Sequence, residues 1–265
     1  MLRFTDSLTG EKADFAPREE GKASIYWCGP TVYDVPHLGH ARSTLAFDLL
    51  VRYLRWTGLD VTAVSNITDI DDKIINRAAD EGSTEPEVAS RYEATFIEQM
   101  DRLNVAHPDL RPRATEYVDR MVEVIGELVE REMAYTTDSG VYFDVDRLGE
   151  YGALVGRSVD DLREGAGARV DVDDDKADPL DFALWKAAKP GEPTWDSPWG
   201  PGRPGWHIEC VAMSLHLLGD SFDIHGGGDD LVFPHHENER AEALGCGRPF
   251  ARHWIHNGMV QVDGE

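Results

Sequence analysis

The segment from Pro36 to His40 has the residue types of a phosphate-binding site, because two histidines flank a glycine just ahead of a predicted helix. The first N–H groups of a helix lack partners within the helix and attract anions. His37 and His40 add side-chain donors, and Gly39 between them lets a ligand approach the backbone. The pattern HxGH is weak by itself, and a pair of structural histidines explains it equally well.

A second group of side chains has the composition of a metal site. Cys28 follows a predicted strand, Cys210 lies in GWHIEC, and the segment PHHENE supplies His235 and Glu239. Thiolate, imidazole and carboxylate are the ligands that zinc prefers. Residues four apart share one face of a helix, so His235 and Glu239 can bind one ion, whereas His236 and the glutamate after it are expected to point elsewhere. The alternative is two small buried cysteines and a capped surface helix.

A third candidate site follows the predicted strand SFDIH, which ends at His225. The next residues are Gly226, Gly227, Gly228, Asp229 and Asp230. Glycines let a ligand lie against the backbone, and an acidic side chain can accept hydrogen bonds from ribose hydroxyls. Three glycines alone predict only a turn, and the adenosine site is implied once their position after a strand is combined with the family resemblance described below.

The elements around these residues are predicted from hydrophobic periodicity and turn signals. Residues 23–27 and 60–65 form apolar, β-branched runs, and residues 41–56 between them have a helical pattern. Strand, helix and strand in this order predict a parallel βαβ unit. Thr84 and Glu87 form a capping box that starts a helix to about Leu103. A further helix is predicted over residues 115–131.

The chain changes character after residue 112. A hairpin signal lies around residues 138–140, an acidic run follows at 171–175, and a Pro/Gly-rich stretch precedes residue 202. We therefore predict an α/β fold, in which a Rossmann-like parallel nucleotide-binding sheet is split by an inserted α+β connective module. The predicted parts are a first catalytic half at 1–112, the inserted module at 113–201 and a second catalytic half at 202–265.

Composition restricts the possible partners and surroundings. The 265 residues carry 50 acidic against 26 basic side chains, a net charge of −24 that disfavours a broad nucleic-acid surface. Such acidity also suits a salt-rich cytosol, so we expect a halophilic source. Three widely spaced cysteines argue against a disulfide framework and for a reducing cytoplasm. We see no export signal and no apolar stretch long enough to span a bilayer.

In context, the motifs resemble one known family. The segments CGPTVYD, HLGH, NITDIDDK, GWHIEC and PHHENE together resemble the cysteinyl-tRNA synthetases, and the similarity covers nearly the whole chain. The resemblance implies a class I enzyme that activates L-cysteine with ATP and Mg and transfers it to tRNA(Cys). It implies that His37 and His40 bind ATP and are catalytic, with Gly39, Gly226, Gly227 and Asp230 as further ATP contacts.

The resemblance also implies the metal and amino-acid sites. The zinc ligands map onto Cys28, Cys210, His235 and Glu239, with one zinc per chain. The cysteine-binding residues map onto Cys28, Gly29, Thr68, Trp206 and His225. The alternative is a helix N-cap for Thr68 and plain core packing for Trp206.

Zinc explains how such an enzyme could separate cysteine from serine. The resemblance implies that the substrate thiolate binds the metal directly, so the coordination must expand or one ligand, such as Glu239, must loosen. Zinc binds sulfur well and lowers the pKa of a thiol, but binds a serine hydroxyl poorly. A pocket based on shape alone gains little from a one-atom difference. We therefore expect no separate editing site.

The resemblance ends where the sequence ends. Family members continue into a KMSKS-type loop and a helical anticodon-binding domain, neither of which occurs here, so we expect weak or absent activity from this polypeptide. It is expected to be a piece of a longer enzyme or a natural fragment. Two other functions stay open: the related ligase of mycothiol biosynthesis, which joins cysteine to an amino sugar, and a non-catalytic module that holds cysteine or zinc.

Overall fold

The protein is described by a computed structural model that covers residues 2–165 and 175–261. Its strands are β1 (Arg3–Thr5), β2 (Lys12–Asp14), β3 (Lys22–Trp27), β4 (Asp60–Ser65), β5 (Ala134–Thr137), β6 (Gly140–Phe143), β7 (Phe182–Ala187), β8 (Gly202–Pro204), β9 (Ile224–Gly228) and β10 (His253–Asn257). Its helices are α1 (Leu38–Trp56), α2 (Asp72–Glu81), α3 (Glu85–Arg102), α4 (Val118–Glu130), α5 (Val159–Gly165), α6 (Trp206–Leu218) and α7 (Glu237–Gly245).

Strands β10, β9, β3 and β4 form, in that order, a four-stranded parallel sheet. The predicted βαβ unit is confirmed, since α1 connects β3 to β4 and the two strands pair in parallel. β3 and β9 are neighbours although about 200 residues separate them. Their C-terminal ends therefore meet at one edge, which is where α/β sheets bind ligands.

Alternation along β3 directs its side chains to two different cores. Ile25 and Trp27 pack with Phe47 of α1, whereas Tyr26 packs on the opposite face of the sheet with Ile208 of α6. Cys28 continues the second set and packs on the same side as α6. The two-residue period of the strand thus aims the thiol of Cys28 at the helices that carry the other predicted metal ligands.

The helix starts follow from identifiable caps. The predicted capping box between Thr84 and Glu87 is present and starts α3. α1 begins at Leu38, three residues earlier than predicted, because the His37 side chain accepts a hydrogen bond from the N–H of Gly39 and His40 accepts one from the N–H of His37. Part of the HxGH motif therefore forms the first turn of the helix.

An antiparallel sheet with the order β5-β6-β7-β8 lies between the two parts of the parallel sheet along the chain. Its core residues, such as Phe143 and Trp185, belong to the same apolar cluster as residues of α4 and α6. The domain limits at 112 and 201 stay predictions, and β8 begins directly after the second one. The acidic run at 171–174 lies outside the described residues. Among the helices that the structure describes, none is long and apolar enough to cross a membrane.

Candidate metal centre and nucleotide cavity

Four predicted metal ligands meet at the C-terminal edge of the parallel sheet. The Sγ atoms of Cys28 and Cys210 are 3.5 Å apart, and Cys210 Sγ lies 3.7 Å from His235 Nε2. Glu239 Oε1 lies 3.3 Å from Cys28 Sγ and 2.9 Å from His235 Nε2. One donor atom from each of the four residues falls within 4.8 Å of all the others. The four residues come from the end of β3, from α6, from the turn before α7 and from α7 itself.

The spacing of these donors fits a small tetrahedral ion. Bonds of about 2.0–2.3 Å to zinc, at tetrahedral angles, separate neighbouring ligands by about 3.3–3.8 Å. The Cys28–Cys210, Cys210–His235 and Cys28–Glu239 distances of 3.5, 3.7 and 3.3 Å lie in this range, and Glu239 Oε1 and His235 Nε2 are closer at 2.9 Å. The sulfur–sulfur distance also exceeds the roughly 2.05 Å of a disulfide. The donor set therefore suits zinc, and the cluster is almost closed to solvent, with Cys210 and His235 each 1% exposed.

His236 contradicts the expectation that it points away. Its Nε2 lies 3.2 Å from Cys28 Sγ, and it forms an alternative four-donor set with Cys28, His225 and Glu239. The expectation was wrong because residues three apart also share a helix face: His236 has helical dihedral angles, and its Nε2 lies 3.9 Å from Glu239 Oε1. The glutamate after it does point away, since Glu237 accepts hydrogen bonds from backbone N–H groups at residues 154 and 155.

Burial and mutual contact set the charges of the cluster. Burial raises the pKa of the Cys28 thiol well above its usual value, and contact with Cys210 raises it further. Burial alone would raise the pKa of Glu239, but the imidazoles of His225 and His235 hold it well below its usual value. Despite burial, the Glu239 carboxylate raises the pKa of His235 to about 10. The protein thus holds the Glu239 carboxylate in contact with a protonated His235. A bound cation would take the place of that proton.

Outer histidines hold the ligands in place. His207 Nδ1 lies 2.8 Å from His235 Nδ1, and His225 Nε2 lies 2.8 Å from Glu239 Oε2. Such partners fix the ring orientation of a ligating histidine and the direction of a ligating carboxylate. The ring of Trp206 stacks on His235 with centroids 4.0 Å apart, and at 37% exposure it also faces the open cleft.

A buried polar chain connects the loop after β3 with α6. Asn66 Oδ1 accepts a hydrogen bond from the N–H of Gly29, and Asn66 Nδ2 donates to the hydroxyl of Thr68. That hydroxyl in turn donates to Glu209 at 2.8 Å. A Cβ at position 29 would lie 1.7 Å from the carbonyl oxygen of Asn66, so only glycine fits there. This hydrogen-bonded series holds Thr68 against Glu209 of α6 and already uses the hydroxyl proton of Thr68.

The HxGH residues line a cavity of about 290 Å³ next to the cluster. The imidazoles of His37 and His40 stack with centroids 4.0 Å apart. Burial and the neighbouring His37 lower the pKa of His40 to about 4, so this ring is neutral at pH 7. The cavity is lined by Trp27, Cys28, Gly29, Pro30, Thr31, Tyr33, His37, Gly39, His40, Arg42, Ser43, Thr44, Ser65, Lys73, Phe96, Trp206, Gly228, Asp230, Leu231, Asn257, Gly258 and Met259.

Only part of the predicted glycine-rich segment lines this cavity in the described structure. Gly228 and Asp230 line the cavity, whereas Gly226 and Gly227 are buried in β9 behind them. A Cβ at Gly226 would lie 2.4 Å from Cζ of Phe47, which shows that this glycine is required by packing. Contacts of Gly226 and Gly227 with ATP stay predictions.

A second cavity of about 300 Å³ opens on the other side of Trp206. Strand β7 contributes Phe182 and Lys186, and the turn before α7 contributes Phe233. Thr31, Lys73 and Trp206 line both cavities, so the two spaces are adjacent.

Sequence reasoning missed several of these residues. His207, Asn66 and Glu209 were not predicted, although His207 stands three residues before Cys210 in a helical segment and so lies on the same helix face. Lys73 was quoted only as part of NITDIDDK. The signal for Asn66 and Glu209 is weaker, since their contacts join segments more than 100 residues apart.

Comparison with known proteins relates the chain to one family. The family model described as tRNA synthetases class I (C) catalytic domain matches residues 14–265. The cysteine–tRNA ligase of Oleidesulfovibrio alaskensis is 58% identical over 266 residues, which cover 100% of this chain and 54% of the relative. That of Pyrococcus furiosus is 53% identical, over 100% of this chain and 55% of the relative. The chain spans about half the length of the curated relatives it matches, which give no support to a halophilic source.

Solved structures agree on the fold. The methionyl-tRNA synthetase of Mycobacterium tuberculosis bound by methionyl-adenylate superposes with a TM-score of 0.66 at 16% identity, covering 89% of this chain and 57% of that one. A putative arginyl-tRNA synthetase from Campylobacter jejuni gives 0.58 at 12% identity, covering 95% and 58%. The predicted α/β fold with a Rossmann-like parallel sheet is confirmed.

Proposed function

The chain belongs to the family of class I (C) tRNA synthetase catalytic domains, and we propose that it is the part of a cysteine–tRNA ligase that activates cysteine with ATP. The product of this step is cysteinyl-adenylate, from which the cysteinyl group passes to tRNA(Cys). The observation that carries the proposal is the closed Cys28, Cys210, His235 and Glu239 cluster beside the HxGH cavity. A thiol-binding centre next to a phosphate-binding helix start is what cysteine activation needs.

Zinc is the metal that this donor set favours. The four residues would hold it, and when bound it lowers the pKa of a thiol and binds sulfur in preference to a hydroxyl oxygen. Because the cluster already offers four donors, one of them must yield to the substrate or the coordination must expand. Glu239 is the harder donor. His225 Nε2 lies 2.8 Å from Glu239 Oε2 and would hold this carboxylate if it left the metal.

The protein groups around the cluster would bind the rest of the amino acid. Trp206 supplies an apolar wall that also stacks on His235, and the N–H of Gly29 is fixed by Asn66 at the mouth of the cluster. Thr68 donates its hydroxyl proton to Glu209, so toward a ligand it would act as an acceptor or as a wall. Cys28, Gly29, Thr68, Trp206 and His225 remain our proposed cysteine-binding residues.

In the adenylation step, a carboxylate oxygen of cysteine attacks the α-phosphorus of ATP, and the bond to the β-phosphate breaks with release of pyrophosphate. His37 and His40 would donate hydrogen bonds to the phosphates at the start of α1, where free backbone N–H groups add to them. Asp230 would accept from the ribose, and Gly39, Gly226 and Gly227 complete the proposed ATP site. Mg would accompany the triphosphate.

The transfer step needs the RNA end beside the adenylate. The second cavity, between α2 and the inserted module, is adjacent to the first through Thr31, Lys73 and Trp206, and we propose it as the route of that end. We retain the division into 1–112, 113–201 and 202–265 on this basis. The mycothiol-type ligase has no observation here in its favour.

The proposal is tested by metal analysis together with cysteine-dependent exchange of label between pyrophosphate and ATP. We expect one zinc per chain and exchange that requires cysteine and is not supported by serine. Because this chain spans half the length of its relatives, binding of a stable sulfamoyl analogue of cysteinyl-adenylate provides a second readout. A zinc-free chain that binds neither cysteine nor the analogue would contradict the proposal.

A further inference from the structure

Lys73 stands where the two cavities meet. It lies in the first turn of α2, where the carboxylate of Asp71 accepts a hydrogen bond from its backbone N–H. Its side chain is exposed and lines both cavities, and its ammonium lies 5.3 Å from the ring centroid of Tyr33. A bound adenylate would lie in the first cavity, which Lys73 also lines, with its nucleotide near His40 and its thiol at Cys28.

Phosphate binding in the nucleotide cavity needs a positive charge that His40 does not supply. His40 has a pKa of about 4, lowered first by burial and then by His37, and the Lys73 ammonium is among the charges that keep it neutral. A neutral imidazole donates a hydrogen bond but does not neutralise a phosphate. Among the described residues that line this cavity, the permanent cations are Arg42 and Lys73. Only six lysines occur in this chain of net charge −24.

The acidic residues beside Lys73 are occupied by other partners. Asp72 pairs with Arg203 and with Lys186, the latter at 2.8 Å. Asp71 caps α2 through the backbone. In the described part of the chain, no carboxylate lies within ion-pair distance of the Lys73 ammonium, which instead lies near an aromatic ring. The charge of Lys73 is therefore available to an anionic ligand at the cavity boundary.

We infer that Lys73 is a catalytic residue whose ammonium binds the α-phosphate of ATP and of the adenylate. The inference rests on the proposed function and adds a residue to it. As the cysteine carboxylate oxygen forms its bond to the α-phosphorus and pyrophosphate leaves with the electron pair of the broken bond, no proton is transferred and Lys73 stays protonated. Its charge opposes the negative charge on the non-bridging oxygens, which a fixed cation at this position stabilises throughout the step.

The test compares Lys73→Met, Lys73→Arg and the control Lys22→Met. Lys22 is an exposed residue at the opposite end of β3 and pairs with Glu19. Two probes are titrated calorimetrically: the sulfamoyl analogue of cysteinyl-adenylate, which carries an anionic linker, and adenosine, which lacks one. Loss of a charge-assisted hydrogen bond weakens binding by about 10- to 100-fold.

We expect Lys73→Met to bind the analogue about 10- to 100-fold more weakly, while its binding of adenosine and of metal stays within about twofold of the parent chain. Lys73→Arg should recover most of the lost affinity. Lys22→Met should match the parent chain. Equal analogue binding by parent and Lys73→Met, or equal losses for both probes, would overturn the inference and leave the proposed function standing. A parent chain that does not bind the analogue would overturn the proposed function, and the inference with it.

Discussion

The metal cluster and the nucleotide cavity lie side by side but are built in opposite ways. The cluster is largely enclosed: Glu239 is 0% exposed and contacts His225, and His235 contacts His207, while Cys28 is partly exposed. The cavity beside it is open, and its motif residues include Leu38 at 74% exposure and an exposed His37. Under the proposed function, the substrate thiol would therefore be recognised in mostly buried packing, whereas the phosphates would bind at an accessible helix start.

This difference has a physical reason. Distinguishing sulfur from oxygen requires donor atoms fixed within tenths of an ångström and free of competing water. A triphosphate must enter and pyrophosphate must leave, so its contacts have to remain accessible. The two regions should therefore respond independently to substitutions, and each of the following changes tests that independence.

The largest effect is expected for Cys210→Ala. Removing one of four ligands should weaken zinc binding by more than the 10- to 100-fold typical of a lost outer partner, and cysteine binding should disappear with it. Binding of ATP should stay within about twofold. Competition with a chromophoric chelator measures the metal affinity. Cys246→Ala is the matched control, since its buried Sγ lies near the carbonyl oxygen of Val124 and away from the cluster.

A smaller effect on the same region is expected for His207→Ala. This residue holds the ring of His235 through the contact at 2.8 Å between their Nδ1 atoms, so its loss should lower zinc affinity by about 10- to 100-fold. Nucleotide binding should not change. His216→Ala on the same helix controls for the loss of an imidazole. Unchanged zinc affinity in His207→Ala would show that His235 is oriented by other groups, such as Trp206.

On the open side, His40→Ala should weaken ATP binding by about tenfold, since one hydrogen bond to a phosphate is lost. Zinc content should be unchanged, which reverses the pattern expected for Cys210→Ala. Isothermal titration with ATP and elemental analysis of the same sample give both values. A loss of zinc in this variant would show that the two regions are coupled.

The smallest effect concerns pH. Burial, and then the neighbouring His225, lower the pKa of His256 to about 4 from 6.5. The unfolded chain therefore binds more protons between these values, and the free energy of unfolding should fall as the pH drops through this window. We expect about 1–2 kcal/mol from this residue after allowance for its partial exposure.

Denaturation by urea at pH 7.5 and pH 5, in the presence of a chelator, measures this dependence. His256→Gln should make it shallower. An equally steep dependence in the variant would assign the effect to other buried histidines.

The sequence predicted the parts of this arrangement that depend on local spacing. Strand alternation, the capping box at Thr84 and the βαβ order come from short-range patterns, and all three are present. The four proposed metal ligands, which the structure brings together, were predicted because their residue types are rare and chemically specific, and because five motifs together resemble a family.

Long-range packing and turn geometry limited the prediction elsewhere. His236 also reaches the cluster, because residues three apart share a helix face, and spacing alone does not decide which of the two histidines faces Cys28. Gly226 is small because Phe47 of α1 packs against it, which becomes visible only when β9 is placed beside β3. The role inferred for Lys73 depends on two cavities that meet at its side chain, and a linear motif does not show where cavities lie.

The central claim is that the buried cluster selects the substrate thiol through a metal. It is tested most directly by titrating cysteine and serine into the zinc-loaded chain and into the same chain after removal of zinc. We predict one zinc per chain, tight binding of cysteine but not serine by the loaded form, and loss of cysteine binding in the stripped form. A stripped chain that still prefers cysteine would contradict the claim and assign selectivity to the protein groups around Thr68 and Trp206.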